Sequence, residues 1–243
     1  MNNSVTKKSY KSVILVIGVL LCIAGTYTHQ IEEYTVYRAL RGVISFSALG
    51  VLLYFQGKQT HPLFACFLLL YGASSIVTIW YENTTLATLA MILNFCAVLF
   101  LIRALFPKVS FKNMSWWLII IFVAMVLLNA FLLYEFVAMM KSMAGSSTHY
   151  LFMLLGAMSM VVVGFLALLY NYQYSSQSSI ILVLFISSII FSEVFRGIAY
   201  YDFAFGNIAV YAARILLIIG TSLLVHYALM MKDKDEELHR KLF

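Results

Sequence analysis

Charge is scarce in this sequence. Lysine, arginine, aspartate and glutamate make up 11% of its 243 residues, where soluble domains average about 25%. From 144 to 192 there is no charged side chain at all. Hydrophobic residues reach 63% and the mean hydropathy is +0.93. A soluble globule cannot hide that much apolar surface, so the composition implies an integral membrane protein. Cysteine is equally thin. Cys22, Cys66 and Cys96 all lie in apolar runs, with no CxxC, and read as small buried hydrophobes rather than disulfide or metal partners. HExxH, Walker-type and GxSxG motifs are absent, as are paired histidines at ligand spacing, so no metal or cofactor is implied. The last apolar run has no lysine, which excludes a retinal Schiff base there. No inverted repeat with Gly/Pro-broken helices is visible, which weakens a transporter reading. The net charge of +6 does not point to nucleic acid, because most basic residues flank apolar runs.

What is present is a series of long apolar runs. A helix needs about 20 such residues to cross a bilayer. The runs 12–28, 39–55, 61–81, 85–105, 115–140, 149–170, 180–201 and 209–231 predict an all-α, polytopic bundle of eight spans forming one domain. The break between the sixth and seventh is the polar stretch 171–179. Seven spans result if 39–55 only lies at the interface or re-enters. A strand barrel is disfavoured because the runs are continuous rather than alternating. The first run follows Lys7, Lys8 and Lys11 and lacks an A-x-A-like site, so it reads as a retained signal anchor.

Lysine and arginine set the orientation. With the N-terminus in the cytoplasm, eleven of them fall on inner segments, including Lys58, Lys112 and the group from Lys232 to Lys241. Four fall outside: Arg38, Arg41, Lys141 and Arg196. Both termini are then cytoplasmic, which requires an even number of spans. Short connections and the lack of organelle signals suit a bacterial inner membrane.

Three ionisable groups, Glu193, Arg196 and Arg214, sit within the last two spans, on either side of a polar turn at 201–207. A charge at the bilayer centre costs about 2.5–3.5 kcal/mol on insertion scales, so these are the leading functional candidates. Glu193 lies about 11 residues before the centre of the turn and Arg214 about 10 after it. At about 1.5 Å rise per residue the two share one depth, which predicts a buried Glu193–Arg214 pair. Ser188, Ser192, Arg196 and Tyr200 recur every four residues as one stripe, and Tyr211 shares a face with Arg214. Glu82, Asn94, Glu135 and His149 also fall in the outer half, while the inner half holds little beyond His61 and His226. Plain helix packing is the competing explanation, because ion pairs and small residues also hold helices together in lipid. Trp80, Trp116 and Trp117 read as an aromatic belt.

The last three spans carry short motifs: Ser192-Glu193 after an apolar run, then Tyr211-Ala-Ala-Arg214 and Ile218-Ile-Gly220. In these the chain resembles the YhhN-type lysoplasmalogenase family, whose pattern has S-D and Y-x-x-Q at those places. Leu154 to Val163 is compatible with the family's sixth helix. The chain departs from the pattern in the third span, where no acid stands at 77–79, and Asn94 occupies a region where many members have histidine. His61-Pro-Leu63 lies too far along to match the family's second-helix motif.

The resemblance implies a membrane hydrolase of lysolipid vinyl ethers, with Glu193 as acid/base and Glu82 or Glu135 as the partner carboxylate. Arg214 or Arg196 would hold the lysolipid phosphate, with Tyr211, Ser192 and Asn94 beside it. The alternative from another class is a non-catalytic protein that binds or moves a lipid or small amphiphile. The two part on geometry: a two-carboxylate mechanism needs Glu82 or Glu135 to face Glu193 across a cavity, within about 10 Å. On topology, reporters placed after Met231 and near Gln177 should both read cytoplasmic; an external signal from the C-terminal fusion would overturn the eight-span reading.

Overall fold

The computed structural model describes residues 3–57, 60–110, 114–200 and 206–242, with side chains described within 10–57, 60–110, 114–142, 144–200 and 208–231. Most of the turn expected at 201–207, together with Lys58 and Lys112, lies outside the described residues. So do the side chains of Lys7, Lys8 and the basic residues after Met231. The elements are α1 (Asn3–Gln30), α2 (Tyr34–Gln56), α3 (Pro62–Val77), α4 (Thr84–Leu105), α5 (Trp116–Met139), α6 (Ser147–Tyr174), α7 (Gln177–Tyr200) and α8 (Gly206–Leu242). Eight helices are long and apolar enough to cross a membrane, α2 among them. No strand occurs among the described residues.

Local chemistry sets the ends. Asn83 caps α4, its side chain accepting from the backbone N–H of Thr85 at 3.0 Å and of Leu86 at 3.3 Å. Ser146 caps α6 by accepting from the N–H of His149 at 3.1 Å. Pro62 occupies the first turn of α3, where its missing N–H is no loss. Gly57, at φ 58°, ends α2 in the left-handed region. Two boundaries differ from the sequence reading. The polar stretch 171–179 breaks the chain only at Ser175 and Ser176, because Asn171 bonds Ser179 across the turn at 2.9 Å and lets α6 run on to Tyr174. α2 begins five residues earlier than expected, so Arg38 and Arg41 both ride inside a helix.

Helices α2, α3, α4, α6, α7 and α8 form a closed ring, each packed on the next and α8 packed back on α2. α1 lies outside, against α2 and α8, and α5 lies outside against α6. The ring is filled by side chains such as Phe67 and Tyr71 of α3 and Phe185 and Ile189 of α7, with Phe67 and Phe185 edge to face at 5.9 Å. Gly42 allows α2 to approach α3, since a Cβ there would lie 2.4 Å from Ile76 Cδ1. α5 is different: Val137 is its one buried side chain among the described residues. Trp80, Trp116 and Trp117 are exposed near helix ends.

The half of the bundle nearer the termini is more polar than expected. Gln56 donates to the carbonyl of Ala228 at 2.7 Å. Tyr10 meets His226 at 2.9 Å, and Lys108 reaches the Tyr227 hydroxyl at 3.2 Å. These pairings tie α1, α2 and the end of α4 to α8, which is a structural use of polar groups that apolar runs conceal.

Candidate functional site

The polar groups at the other end of the ring gather around one carboxylate. Glu193 of α7 is paired through Oε1 with Arg41 of α2 and through Oε2 with Arg196, one turn further along α7. The Tyr71 hydroxyl of α3 donates to Oε1, and the Asn94 amide of α4 donates to Oε2 at 3.3 Å. Arg41 is 7% exposed. It donates to the Tyr71 hydroxyl at 2.5 Å and to Ser75 at 3.3 Å, and Ser75 in turn donates to the Tyr71 carbonyl at 2.9 Å. Four helices of the ring therefore meet on Glu193.

Arg214 does not join them, and the expected Glu193–Arg214 pair is corrected. The depth argument holds but the azimuth does not. On α7 it is Ser192 that faces α8, donating to the carbonyl of Ala213 at 2.7 Å. One residue further on, a helix has turned by about 100°, which takes Glu193 off that interface and into the ring. Arg214 likewise points away from α7. Its guanidinium donates to the Tyr37 carbonyl at 2.6 Å and lies 4.1 Å from the centre of the Tyr37 ring, with its stem against Gly25. The Tyr211 ring lies against that of His29 of α1, centroids 5.1 Å apart and tilted. Ser192 thus serves the α7–α8 contact rather than a ligand.

The two proposed partner carboxylates are placed elsewhere. Glu82 lies at the rim, 72% exposed, and pairs with Arg38 at 2.6 Å. The hydrogen bond from Arg38 holds its carboxyl below the usual glutamate range. Glu135 is on the exposed side of α5. Neither lines the cavity of about 110 Å³ that reaches Glu193, which is walled mainly by α4, α5, α6 and α7 and includes Asn94, Arg196, Met153 and Tyr200. His149 is buried beside Tyr81, with its ring nitrogen 3.5 Å from the hydroxyl.

Sequence reasoning brought Glu193, Arg196 and Asn94 together. It put Arg41 on the outer side, at the opening of its run, without naming it a site residue, and it missed Tyr71 and Tyr37. Arg41 carried a signal, a lone charge within an apolar run one turn beyond Arg38. Tyr71 is one of 16 tyrosines and carried none. Compared with protein families, with curated proteins and with solved structures, the chain finds no match. The lysoplasmalogenase resemblance therefore rests on the short motifs of α7 and α8.

Breaking the centre should be costly. Glu193→Gln strands the buried Arg41 guanidinium and the part-buried one of Arg196, and Arg41→Gln removes one partner of the carboxylate; breaking a buried pair costs about 3–5 kcal/mol. The double variant should lose less than the sum of the single losses in thermal unfolding in detergent. The coupling should exceed the roughly 0.6 kcal/mol average for polar contacts in membrane bundles, and should be larger than that between Glu193 and Arg214. Equal couplings would mean that Arg41 is not the partner. At the exposed rim, Glu82→Gln should change stability by less than about 1 kcal/mol. Because the folded-state value of Glu82 is depressed, its contribution is present above the ordinary glutamate range and lost as pH falls through the depressed value. The stability difference between Glu82→Gln and the parent should therefore vanish in acid.

Proposed function

We propose that this protein binds a lipid or small amphiphile within its helical bundle and does not hydrolyse it. The observation that carries this reading is the state of Glu193. Both carboxylate oxygens are engaged by protein donors, and no second carboxyl lines its cavity among the described residues. Vinyl-ether hydrolysis needs a group to protonate the substrate and another to bring in water. A carboxylate held by two guanidiniums, a phenol and an amide is better suited to fixing a binding site than to exchanging protons with a substrate.

The surrounding space suits an alkyl chain. The cavity at Glu193 shares Leu133, Met160 and Ile190 with a second cavity of about 200 Å³ that runs on between α5, α6 and α7. Its walls are mostly aliphatic, methionine and phenylalanine side chains, with Asn129 and Ser187 as the polar exceptions, and methionine in particular adapts to irregular apolar ligands. α5 packs chiefly on α6, so the trough between α5 and α7 is left open rather than closed by a tight helix contact. At the polar end, the Asn94 carbonyl oxygen is buried without a partner, and unsatisfied buried acceptors call for a donor. A hydroxyl of a ligand headgroup meets that requirement. The charge bias supports both termini being cytoplasmic, and the short connections and lack of organelle signals suit a bacterial inner membrane.

Gly156 gives a clean test, because it lines the cavity and a Cβ there meets nothing within 4 Å. The purified protein should retain an uncharged monoacylglycerol in native mass spectrometry. Gly156→Phe should weaken that retention at least tenfold while leaving the melting temperature within a few degrees of the parent. The same preparation should leave lysoplasmalogen intact over hours. Turnover that Glu193→Gln abolishes would overturn the binding reading in favour of the hydrolase.

A further inference from the structure

A third cavity lies on the other side of Arg196, between α1, α2, α7 and α8. It has a volume of about 220 Å³ and shares only Arg196 and Tyr200 with the cavity at Glu193. Four arginines line it: Arg38, Arg41, Arg196 and Arg214. Glu193 is common to Arg41 and Arg196, and Glu82 serves Arg38. Arg214 has no carboxylate among the described residues. Two positive charges are thus left over, and no acid lines this cavity among the described residues.

Arg214 is the sharpest part of the imbalance. It is 7% exposed, yet its Nη1 has no hydrogen-bond partner, while Nη2 is held by the Tyr37 carbonyl and the planar group lies over the Tyr37 ring. The side chain is therefore fixed in place with one donor edge open. A buried guanidinium with no counter-charge and one donor nitrogen unpaired is unfavourable, and an anion in the cavity it lines would supply both the charge and the missing acceptor. Tyr34, Tyr37 and Tyr200 add aromatic wall to the same space.

From this arrangement we infer that the cavity is a phosphate-binding site. A phosphate ester offers several oxygens and up to two charges, which matches both the planar fork of arginine and the surplus of positive charge. The phosphate belongs either to a phospholipid headgroup or to a free small phosphate. The lipid case rests on the amphiphile reading above; the free-phosphate case does not.

The test uses the full chain. Glycerol 3-phosphate is titrated calorimetrically against protein in an uncharged detergent. Phosphatidylglycerol and phosphatidylcholine are compared as retained lipids from nanodiscs. Two variants accompany the parent: Arg214→Gln removes the open donor, and Ala199→Phe fills the cavity without altering a charge. The expected result is that glycerol 3-phosphate binds, or that phosphatidylglycerol is retained over phosphatidylcholine, and that both variants reduce this at least tenfold. Binding of the first assigns a free phosphate; preference for phosphatidylglycerol alone assigns a headgroup. Should one variant fail to fold, the other decides. Absence of both signals in the parent, or signals that a folded variant leaves intact, overturns the site. Monoacylglycerol retention carries no phosphate and depends on Gly156, so its loss or survival in the same samples reports on the amphiphile reading separately.

Discussion

One carboxylate holds the ring of helices to a single arrangement. Glu193 draws on α2 through Arg41, on α3 through Tyr71, on α4 through Asn94 and on its own helix through Arg196. Apolar side chains facing one another in a bundle of this composition give little directional information, since lipid is as apolar as they are. A charge that must be paired does give direction. Moving any of these helices by a turn leaves a buried charge or hydroxyl without a partner, and the cost of that is what fixes register.

The bundle divides into a tightly specified side and a looser one. Where α2 meets α3, Gly42 removes the Cβ that would strike Ile76, and where α7 meets α8, Ser192 reaches the backbone of Ala213. Against this, α5 contributes almost nothing to the interior. The apolar trough lies on that looser side, and the arginine-lined cavity lies on the α1–α2 side. The arginine-lined cavity borders Arg41 and Arg196 directly, and the trough joins the cavity at Glu193 through Leu133, Met160 and Ile190, so the closely packed helices hold the polar groups and the least committed one borders the apolar space.

The spans were legible because length and hydropathy act over twenty residues at a time, and errors of a few residues cancel. The eight runs map onto eight helices, including α2, whose shorter run had left seven as an option. The site was legible in depth and not in direction. Depth is a count along the chain, and it put Glu193 and Arg214 level. Direction changes by about 100° with each residue, and no apolar stripe marks it when every face is apolar. Ser192 occupies the α8-facing position, and Glu193 beside it turns inward. The same blindness made Glu82 and Glu135 plausible partners, though one sits at the rim and the other on the outside of α5. Arg41 was read as opening its span on the outer side. It starts no helix; α2 begins at Tyr34, a full two turns earlier.

Arg38 and Arg41 then form a short ladder along α2. Arg38 is at the rim with Glu82, and Arg41 is one turn deeper with Glu193. Each rung has its acid. Arg214 enters the same region from α8 without one, and it is the group that a purely structural account leaves unexplained. Ion pairs that only hold helices together need no extra cation, and a buried cation without a purpose is removed by any neutral substitution of similar shape. Arg196 joins the two halves of the problem, because its guanidinium walls both cavities while bonding Glu193. An occupant of either cavity would meet that group, so what bound on one side would bear on the anchoring of Glu193 and, through it, on the other side. Any such influence acts equally in both directions.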